Sequence, residues 1–361
     1  MNKILNFLFR NKIGQELESM HLFPARGENL LVGYINLKGK FIIKPQYIKA
    51  RKFDGENAVV RAANGKYGII DKRGNYIVKP RFDVLSDFFD GDIAKFQINN
   101  EIGFVNKQDE IAIKPRVIDN WNDIGSFHEG LAYVRNDLKM FGYINKSGER
   151  VIKSNFRVAH DFCEGLACAK GFVGNKYGYI DKTGNWIIKP QFDEADNFRE
   201  GLAAVGLGVG PCDMRGGYCG CYEYGFIDKN GQFVIKPQFD LAGSFIHGFS
   251  KVKKGKWGVI NKNGDFVIEP KFDIDGIYII GNGLFRVRVD NKCGVIDKEG
   301  NYVISPQSDI ITDIYPGLAY IFQVEGKTKE IYIETTREII GGIGQNKFVN
   351  MEGETFYIEP W

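Results

Sequence analysis

Three cysteines lie close together in one glycine-rich part of the sequence, at Cys212, Cys219 and Cys221. Thiolates are preferred ligands of zinc and other soft metal ions. Zinc sites usually contain ligand pairs two to four residues apart, whereas six residues separate Cys212 from Cys219. Because zinc usually has four ligands and the cluster has three cysteines, a zinc site here would take its fourth ligand from elsewhere in the chain. A disulfide, or a loop without metal, explains the same pattern, and zinc is the one cofactor that the sequence suggests.

A second set of residues with chemical potential consists of lysines that precede proline at matching places. The five that we predict as binding residues are Lys44, Lys79, Lys114, Lys189 and Lys236. If the segments that carry them stack, these lysines form a row that an acidic protein or a nucleic-acid backbone could contact. The alternative is structural, because lysine at a strand edge keeps that edge soluble and prevents it from pairing with another chain.

Patterns that would carry catalysis are weak. The four histidines occupy unlike places, so no recurring pair indicates a catalytic triad. Gly206, Gly208 and Gly210 have the composition of a phosphate loop, but no helix pattern follows that would offer its N-terminus to an anion. Aspartates such as Asp193 and Asp240 recur at equal places, which favours turn capping over catalysis. We therefore predict a protein that is not an enzyme.

These residues belong to one short motif that is repeated along most of the chain. The segment from Tyr177 to Phe192 recurs about every 35 residues, in about nine copies. Every clear copy has a glycine at its second position: Gly33, Gly68, Gly103, Gly142, Gly178, Gly225, Gly258 and Gly294. A lysine also recurs in the turn of the motif and forms another candidate row, the turn lysines: Lys72, Lys107, Lys146, Lys182, Lys229, Lys262 and Lys298.

Each copy predicts three strands joined by tight turns. Strand one is exemplified by Leu202 to Val205, strand two by Trp257 to Ile260 and strand three by Asn185 to Lys189. The turn from Asp181 to Gly184 has aspartate first and glycine fourth, which indicates a type I turn closed by a left-handed glycine. We expect strand three to end at the proline, which cannot donate to a ladder, and the residues after it to add a short fourth strand.

A unit of this size cannot bury its own apolar face, so neighbouring units must stack and share one interior. The strand-two glycine follows an aromatic residue, as in Tyr177-Gly178, which predicts a close backbone approach under the ring. The predicted fold class is all-β, a tandem repeat array of about nine three- to four-stranded meander units. We expect an open curved array rather than a closed β-propeller, because propellers typically have four to eight blades of about 40–45 residues for the WD type.

The repeated motif resembles the WG repeat, also called the KWG repeat. Its residues are Lys256-Trp257-Gly258 and Lys176-Tyr177-Gly178, and the second is followed by Ile-Asp-Lys-x-Gly and Ile-Lys-Pro-Gln-Phe. The resemblance spans roughly Leu31 to Ile340. It implies a repeat scaffold of a mostly bacterial family and brings no catalytic residues. One copy, at Trp257, has the tryptophan of the family's name.

Three regions are predicted along the chain. Residues 1–20 form a short amphipathic N-terminal helix that caps the first unit, or that lies on a membrane or a partner. Residues 21–341 form the repeats, with a cysteine- and glycine-rich insertion at 206–223 and a degraded last copy. Residues 342–361 form capping strands, including a strand pair over Lys347 to Glu359.

The composition favours a chain that binds another protein over one that binds a nucleic acid. The net charge is +3, from 48 basic and 45 acidic residues, which gives no strong field for a nucleic acid. No apolar stretch approaches the roughly 20 residues of a membrane-spanning helix, and scattered cysteines fit free thiols in the cytoplasm. We expect a cytoplasmic monomer that binds another protein, as an effector or toxin-immunity protein would. Alternatives are a carbohydrate or small-ligand binding module, and a metal-binding protein that uses the cysteine insertion.

Overall fold

The structure is a computed structural model, and it describes the following residues: 22–27, 30–36, 40–117, 124–208, 222–273, 276–281, 283–308, 310–315, 319–324, 327–331, 346–349 and 355–358. Every regular element in this described part is a β-strand, as the repeated hairpin motif predicts. The chain divides into two compact units, one formed by Met1–Ile118 with Ser308–Trp361 and the other by Asp119–Gln307.

The first unit combines the two ends of the chain. Its first sheet has the order β3-β2-β1-β34-β33, and the others have the orders β4 to β7, β8 to β11 and β30 to β32. The strands are β1 (Phe23–Arg26), β2 (Val32–Ile35), β3 (Phe41–Tyr47), β4 (Lys49–Ala50), β5 (Asn57–Arg61), β6 (Tyr67–Asp71), β7 (Tyr76–Phe82), β8 (Val84–Phe89), β9 (Ile93–Ile98), β10 (Glu101–Asn106), β11 (Ile111–Val117), β30 (Ile310–Tyr315), β31 (Ala319–Val324), β32 (Lys327–Ile331), β33 (Asn346–Val349) and β34 (Thr355–Ile358).

The second unit consists of consecutive antiparallel sheets. One has six strands in the order β12 to β17, and the others have four strands each, β18 to β21, β22 to β25 and β26 to β29. The strands are β12 (Leu131–Arg135), β13 (Phe141–Asn145), β14 (Arg150–Ala159), β15 (Ala167–Gly171), β16 (Tyr177–Ile180), β17 (Trp186–Phe192), β18 (Glu194–Ala195), β19 (Ala203–Gly208), β20 (Tyr222–Ile227), β21 (Phe233–Phe239), β22 (Leu241–Ala242), β23 (Phe249–Lys254), β24 (Lys256–Asn261), β25 (Phe266–Phe272), β26 (Ile277–Gly281), β27 (Leu284–Val289), β28 (Lys292–Ile296) and β29 (Tyr302–Ser308).

The sheet β18 to β21 shows the organisation of one copy. The two-residue strand β18 pairs with strand one (β19), strand one pairs with strand two (β20), and strand two pairs with strand three (β21), all antiparallel. The order leaves β18 and β21 at the two edges of the sheet. The all-β tandem repeat of three- to four-stranded meanders is therefore confirmed, and so is the short fourth strand.

Strand three does not end at proline, and that expectation was wrong. Strand β17 continues through Pro190 to Phe192. Tyr177 pairs with Phe192 and Tyr179 pairs with Ile188, so a single residue, Gly178, lies opposite three residues of β17. Proline is tolerated at such a bulge because the residues in it do not have to donate to the ladder.

The repeated glycine of strand two is explained by the same bulge. A Cβ atom at Gly178 would lie 2.5 Å from the Ile188 carbonyl oxygen and 2.7 Å from the Pro190 nitrogen. The predicted close backbone approach is thus confirmed, but its partner is the backbone of strand three and not an aromatic ring. The same approach recurs at Gly33, Gly68, Gly142, Gly225 and Gly258.

The turn between strands two and three has the predicted chemistry. The Gly184 amide donates to the Asp181 carbonyl at 3.0 Å, and Gly184 has a φ of 87°. The Asp181 Oδ1 atom accepts hydrogen bonds from the amides of Thr183 and Asn185 at 2.9 and 3.0 Å. Where the turn lacks glycine, Asp109 adopts the left-handed conformation at a φ of 64°. The polar side chain at the first position accepts turn amides whether the fourth residue is glycine or, after Asn106, aspartate.

Neighbouring copies share one interior, as predicted. A single buried cluster contains Tyr179, Ile188 and Phe192 of one copy together with Val205 and Ile227 of the next. The turn glycines contribute to this junction, because an added Cβ at Gly231 would lie 3.0 Å from the side chain of Ile188 in the preceding copy. Each copy is therefore stabilised by apolar contacts with its sequence neighbour.

Several predictions concern residues that the structure does not describe. The helix predicted over residues 1–20 lies outside the described residues, as do Cys212, Cys219 and Cys221 and nearly all of the degraded last copy. The predicted C-terminal strand pair is confirmed by β33 and β34, which are antiparallel. Strand β34 also pairs with β1, between Tyr357 and Arg26, which we did not predict.

Candidate binding surface

The third strands present a side-chain surface that we call the edge surface, because each third strand except β14, which lies inside the six-stranded sheet, is at the edge of its sheet. In β17, Ile188 and Phe192 point into the interior, whereas Ile187 and Lys189 point outward. Ile187 is 52% exposed, and the matching Val151 and Val234 are 46% and 49% exposed. Aliphatic side chains at such exposure lie beside lysine on consecutive copies, so the edge surface combines apolar and basic character.

The predicted binding lysines all lie on third strands and are exposed. In the first unit they are Lys44, Lys79 and Lys114, and in the second they are Lys189 and Lys236, with Lys153 at the matching place. Among the residues that the structure describes, none of the five predicted lysines forms an ion pair. Their ammonium groups therefore remain available to an acidic group from outside the chain.

Aromatic contacts hold successive third strands of the second unit side by side. The Phe156 and Trp186 ring centroids are 5.7 Å apart, and those of Phe192 and Phe233 are 6.3 Å apart. Each contact joins the phenylalanine that follows the bulge of one third strand to the first residue of the next third strand, in the edge-on geometry that aromatic pairs prefer. The outward side chains of the edge surface consequently follow one another from copy to copy.

The turn lysines are used differently, within the molecule. The Lys229 ammonium group lies 3.2 Å from a carboxylate oxygen of Glu164 in the preceding copy and donates to the Glu164 carbonyl oxygen at 2.9 Å. The Glu164 carboxylate also accepts the Gly201 amide at 3.0 Å. We did not predict this link between copies, although the glutamate recurs in Phe-x-Glu-Gly. It indicates that several of the turn lysines hold the copies together.

The lysine of the family motif has a further structural partner. The Lys176 ammonium group lies 2.6 Å from Asp193, whose other oxygen accepts the Gly208 amide at 2.8 Å. Partial desolvation opposes the charge on Asp193, but the hydrogen bonds from Lys176 and Gly208 outweigh it and lower the pKa of Asp193. Asp193 therefore links the end of strand one to the lysine before strand two of the preceding copy, and its carboxylate accepts no hydrogen bond from a described turn of its own.

The aromatic residue before the strand-two glycine is half-buried. The Lys170 ammonium group lies 4.0 Å from the centre of the Tyr177 ring, and the His160 ring lies edge-on to it at 6.1 Å. Burial raises the pKa of Tyr177 to about 12. The Trp257 ring is covered in the same way by Lys251, at 4.4 Å. A cation from strand one thus occupies the ring face that a ligand would use.

Titratable groups with shifted pKa values lie between copies. Burial lowers the pKa of His160, against the opposing effect of the nearby Asp161 and Asp196 carboxylates. Desolvation raises the pKa of Asp196. Their backbone carbonyls accept hydrogen bonds from buried tyrosine hydroxyls, Tyr143 on His160 and Tyr179 on Asp196, each at 2.7 Å. These segments are therefore anchored to the interior by their backbone.

The described cysteines do not form a nucleophilic site. Cys163, Cys168 and Cys293 are free thiols. Burial raises the pKa of Cys168, whose thiol donates to the Ala195 carbonyl oxygen at 3.5 Å, so it stays protonated and a poor nucleophile. In the described ranges no group of three or more His, Cys, Asp or Glu side chains could hold a metal ion. The zinc site at Cys212, Cys219 and Cys221 remains a prediction.

Comparison with known families identifies the class of protein. The profile described as "WG containing repeat" matches eight segments of the chain, at residues 33–67, 67–101, 102–139, 141–176, 177–208, 224–256, 257–293 and 294–327. The chain therefore belongs to the WG repeat family. No curated protein sequence matches it.

Solved structures with a similar fold are distant in sequence. A crystal structure of a eukaryotic initiation factor has a TM-score of 0.57 and 11% identity, and the match covers 93% of this chain and 98% of that chain. BamB from Moraxella catarrhalis has a TM-score of 0.35 and 11% identity, over 68% and 78% of the two chains. The C-terminal WD40 domain of Sif2 has a TM-score of 0.32 and 10% identity, over 81% and 79%. The first likeness supports a repeat β fold and nothing about activity.

In the described part of the chain, no helix has the length and apolar character that crossing a membrane requires.

Proposed function

We propose that this chain is a non-catalytic scaffold that binds another protein through the edge surface. The observation that carries this proposal is the alternation of exposed aliphatic residues and exposed lysines on successive third strands, as at Ile187 and Lys189. Exposed apolar side chains in series favour an interaction site over a solvated face. The lysines favour a partner with acidic residues next to apolar ones.

The partner would contact side chains rather than extend the sheet. Strand β17 is an edge strand, but the bulge around Pro190 interrupts its regular row of backbone donors and acceptors. An interrupted edge is a poor template for an added strand. Binding through side chains also allows each copy to contribute a similar small contact, so that affinity depends on several copies together.

The buried titratable groups support a role without catalysis. Cys168 is held protonated by burial and is therefore a poor nucleophile. His160 and Asp196 lie in segments whose backbone carbonyls accept hydrogen bonds from buried tyrosine hydroxyls, which fixes these segments in the fold. We therefore assign these residues to the junctions between copies.

A paired variant tests the edge surface. Lys189→Glu with Lys236→Glu reverses the charge of two neighbouring copies, and Arg73→Glu with Lys139→Glu makes the same charge change at two exposed turns outside the third strands. Affinity capture with each purified protein, followed by quantitative mass spectrometry, measures the partner. We expect one stoichiometric protein partner with wild type and the control, and a loss of at least about tenfold with the edge variant. Equal capture by both variants would contradict the proposal.

A carbohydrate-binding module is the second candidate. Aromatic residues recur at the first position of strand three, and among them Tyr76, Phe233 and Tyr302 are 40%, 37% and 51% exposed. Stacking on such rings is a common way of holding a sugar. These rings also pack against the preceding copy, as Phe233 does against Phe192. Specific glycan binding without a protein partner would replace the first proposal by this one.

A further inference from the structure

Three glutamates of successive copies bind the same two groups of the copy that follows. Each carboxylate accepts a hydrogen bond from a glycine amide and lies beside a turn lysine. The sets are Glu129 with Gly165 and Lys182, Glu164 with Gly201 and Lys229, and Glu200 with Gly248 and Lys262. The amide nitrogens lie 2.9–3.0 Å and the ammonium nitrogens 3.0–3.2 Å from a carboxylate oxygen. An amide and an ammonium group arranged in this way select a carboxylate.

The next position in this series has the same backbone but a different side chain. His247 replaces the glutamate and has a φ of 54°, compared with 53° for Glu200. Gly283 and Lys298 take the places of the glycine and the turn lysine. A Cβ atom added at Gly283 would meet the Lys298 side chain at 3.8 Å, so the lysine still lies beside the glycine.

The two donors at this position have no equivalent acceptor in the described part of the chain. The acidic group nearest to Lys298 is its own neighbour Glu299, at 3.7 Å, with both side chains well exposed. Lys298 is 62% exposed, whereas Lys182, Lys229 and Lys262 are 44–46% exposed. No described residue accepts a hydrogen bond from the Gly283 amide.

We propose that Gly283 and Lys298 bind a carboxylate supplied by another protein, an aspartate or glutamate side chain of an acidic segment. The incoming group would be held as Glu200 is held by Gly248 and Lys262. A single exposed contact of this kind is weak, so its role is to orient an acidic partner rather than to supply most of the affinity. The position is independent of the edge surface and can be tested without it.

Nuclear magnetic resonance of the isotopically labelled full chain provides the test. The probe is acetyl-glutamate methylamide, and the uncharged glutamine analogue is its matched control. We expect the probe to shift the Gly283 amide signal saturably, with the Gly165, Gly201 and Gly248 signals unchanged because internal glutamates already bind those amides. A stronger response to acetylglycine would assign the position to a chain terminus and overturn the side-chain assignment.

Two substitutions separate binding from a nonspecific effect. Lys298→Ala should reduce the affinity of the probe at least about fivefold while the three other glycine signals keep their positions. His247→Glu should abolish the Gly283 response, because the new side chain completes the series from within, and should raise Tm by about 2 °C. His247→Gln should do neither. A Gly283 response that survives both Lys298→Ala and His247→Glu would overturn the proposal.

Discussion

Two rows of lysines in the same repeat have opposite roles. The turn lysines Lys182 and Lys229 pair with glutamates of the preceding copy, whereas Lys189 and Lys236, a few residues further along, pair with no described residue. The two rows have the same residue type, a similar periodicity and exposed positions. What separates them is the structure around them, because a glutamate in a left-handed turn reaches one row and none reaches the other.

The difference separates lysines that hold the copies together from lysines that the fold leaves exposed. An ion pair that also satisfies a backbone amide joins one copy to the next, so the first row contributes to the fold. The second row lies outward beside Ile187 and Val234, on an edge that the fold does not need to cover. Substitutions that affect one row and spare the other distinguish the two roles.

The largest effect is expected where the backbone sets the second row in place. Gly178→Ala puts a Cβ atom 2.5 Å from the Ile188 carbonyl oxygen and should destabilise the protein by about 3 kcal/mol, because the bulge that carries Lys189 cannot move away. Gly171→Ala is the matched control, since its Cβ would have its nearest contact at 3.5 Å, with Trp186. The free energy of unfolding in urea measures both. Similar values for the two variants would refute the role of the bulge.

A smaller effect separates the two rows directly. Lys182→Ala with Lys229→Ala should lower the free energy of unfolding by about 1–2 kcal/mol, because two ion pairs and two hydrogen bonds to carbonyls are lost. Lys189→Ala with Lys236→Ala should change it by less than about 0.5 kcal/mol, as ordinary surface substitutions do. Chemical denaturation at low and high salt provides the measurement. If the second pair proved the more costly, the assignment of the rows would be wrong.

The smallest effect concerns pH and the turn that carries the first row. The amides of Gln232 and Asn230 donate to Asp228 and lower its pKa. A lowered pKa stabilises the folded state above the unfolded value of about 3.9, and this contribution is lost as the pH falls through the folded pKa. Asp228→Asn keeps the acceptor, as Asn261 does in the next copy.

The Asp228→Asn variant should therefore be less stable than wild type by less than about 0.5 kcal/mol at pH 7. The gap between the two proteins should close as the pH falls below about 4. Thermal denaturation of both proteins between pH 3 and pH 7 tests this. A gap that stayed constant over that range would show that the charge of Asp228 contributes nothing to the turn.

Much of the repeat could be predicted because each element has a local signal. Asp181 and Gly184 specify the turn, and the alternation in strands two and three specifies the buried faces. The strand-two glycine marked a close backbone approach. Because an aromatic residue precedes it, we predicted that the glycine lies under a ring, but the atoms in contact belong to the backbone of Ile188 and Pro190.

Other features depend on distant residues and had no local signal. Proline predicts the end of a strand, and whether a bulge accommodates it depends on the strand opposite. The link from Glu164 to Lys229 joins residues 65 apart along the chain. Its only trace in the sequence is that the glutamate and the turn lysine recur together. Once that pairing is known, His247 marks the position at which the glutamate is replaced.

The pairing of β34 with β1 has a consequence for biosynthesis. Strand β1 is synthesised before the repeats, but the partner for its outer side, Thr355–Ile358, is made only after them. Contacts between such remote segments form late, because the whole intervening loop must be ordered or closed. On the ribosome, later copies can assemble on their neighbours while the outer side of Phe23–Arg26 is still unpaired. A stalled or shortened product would therefore expose a strand edge that can pair with another nascent chain.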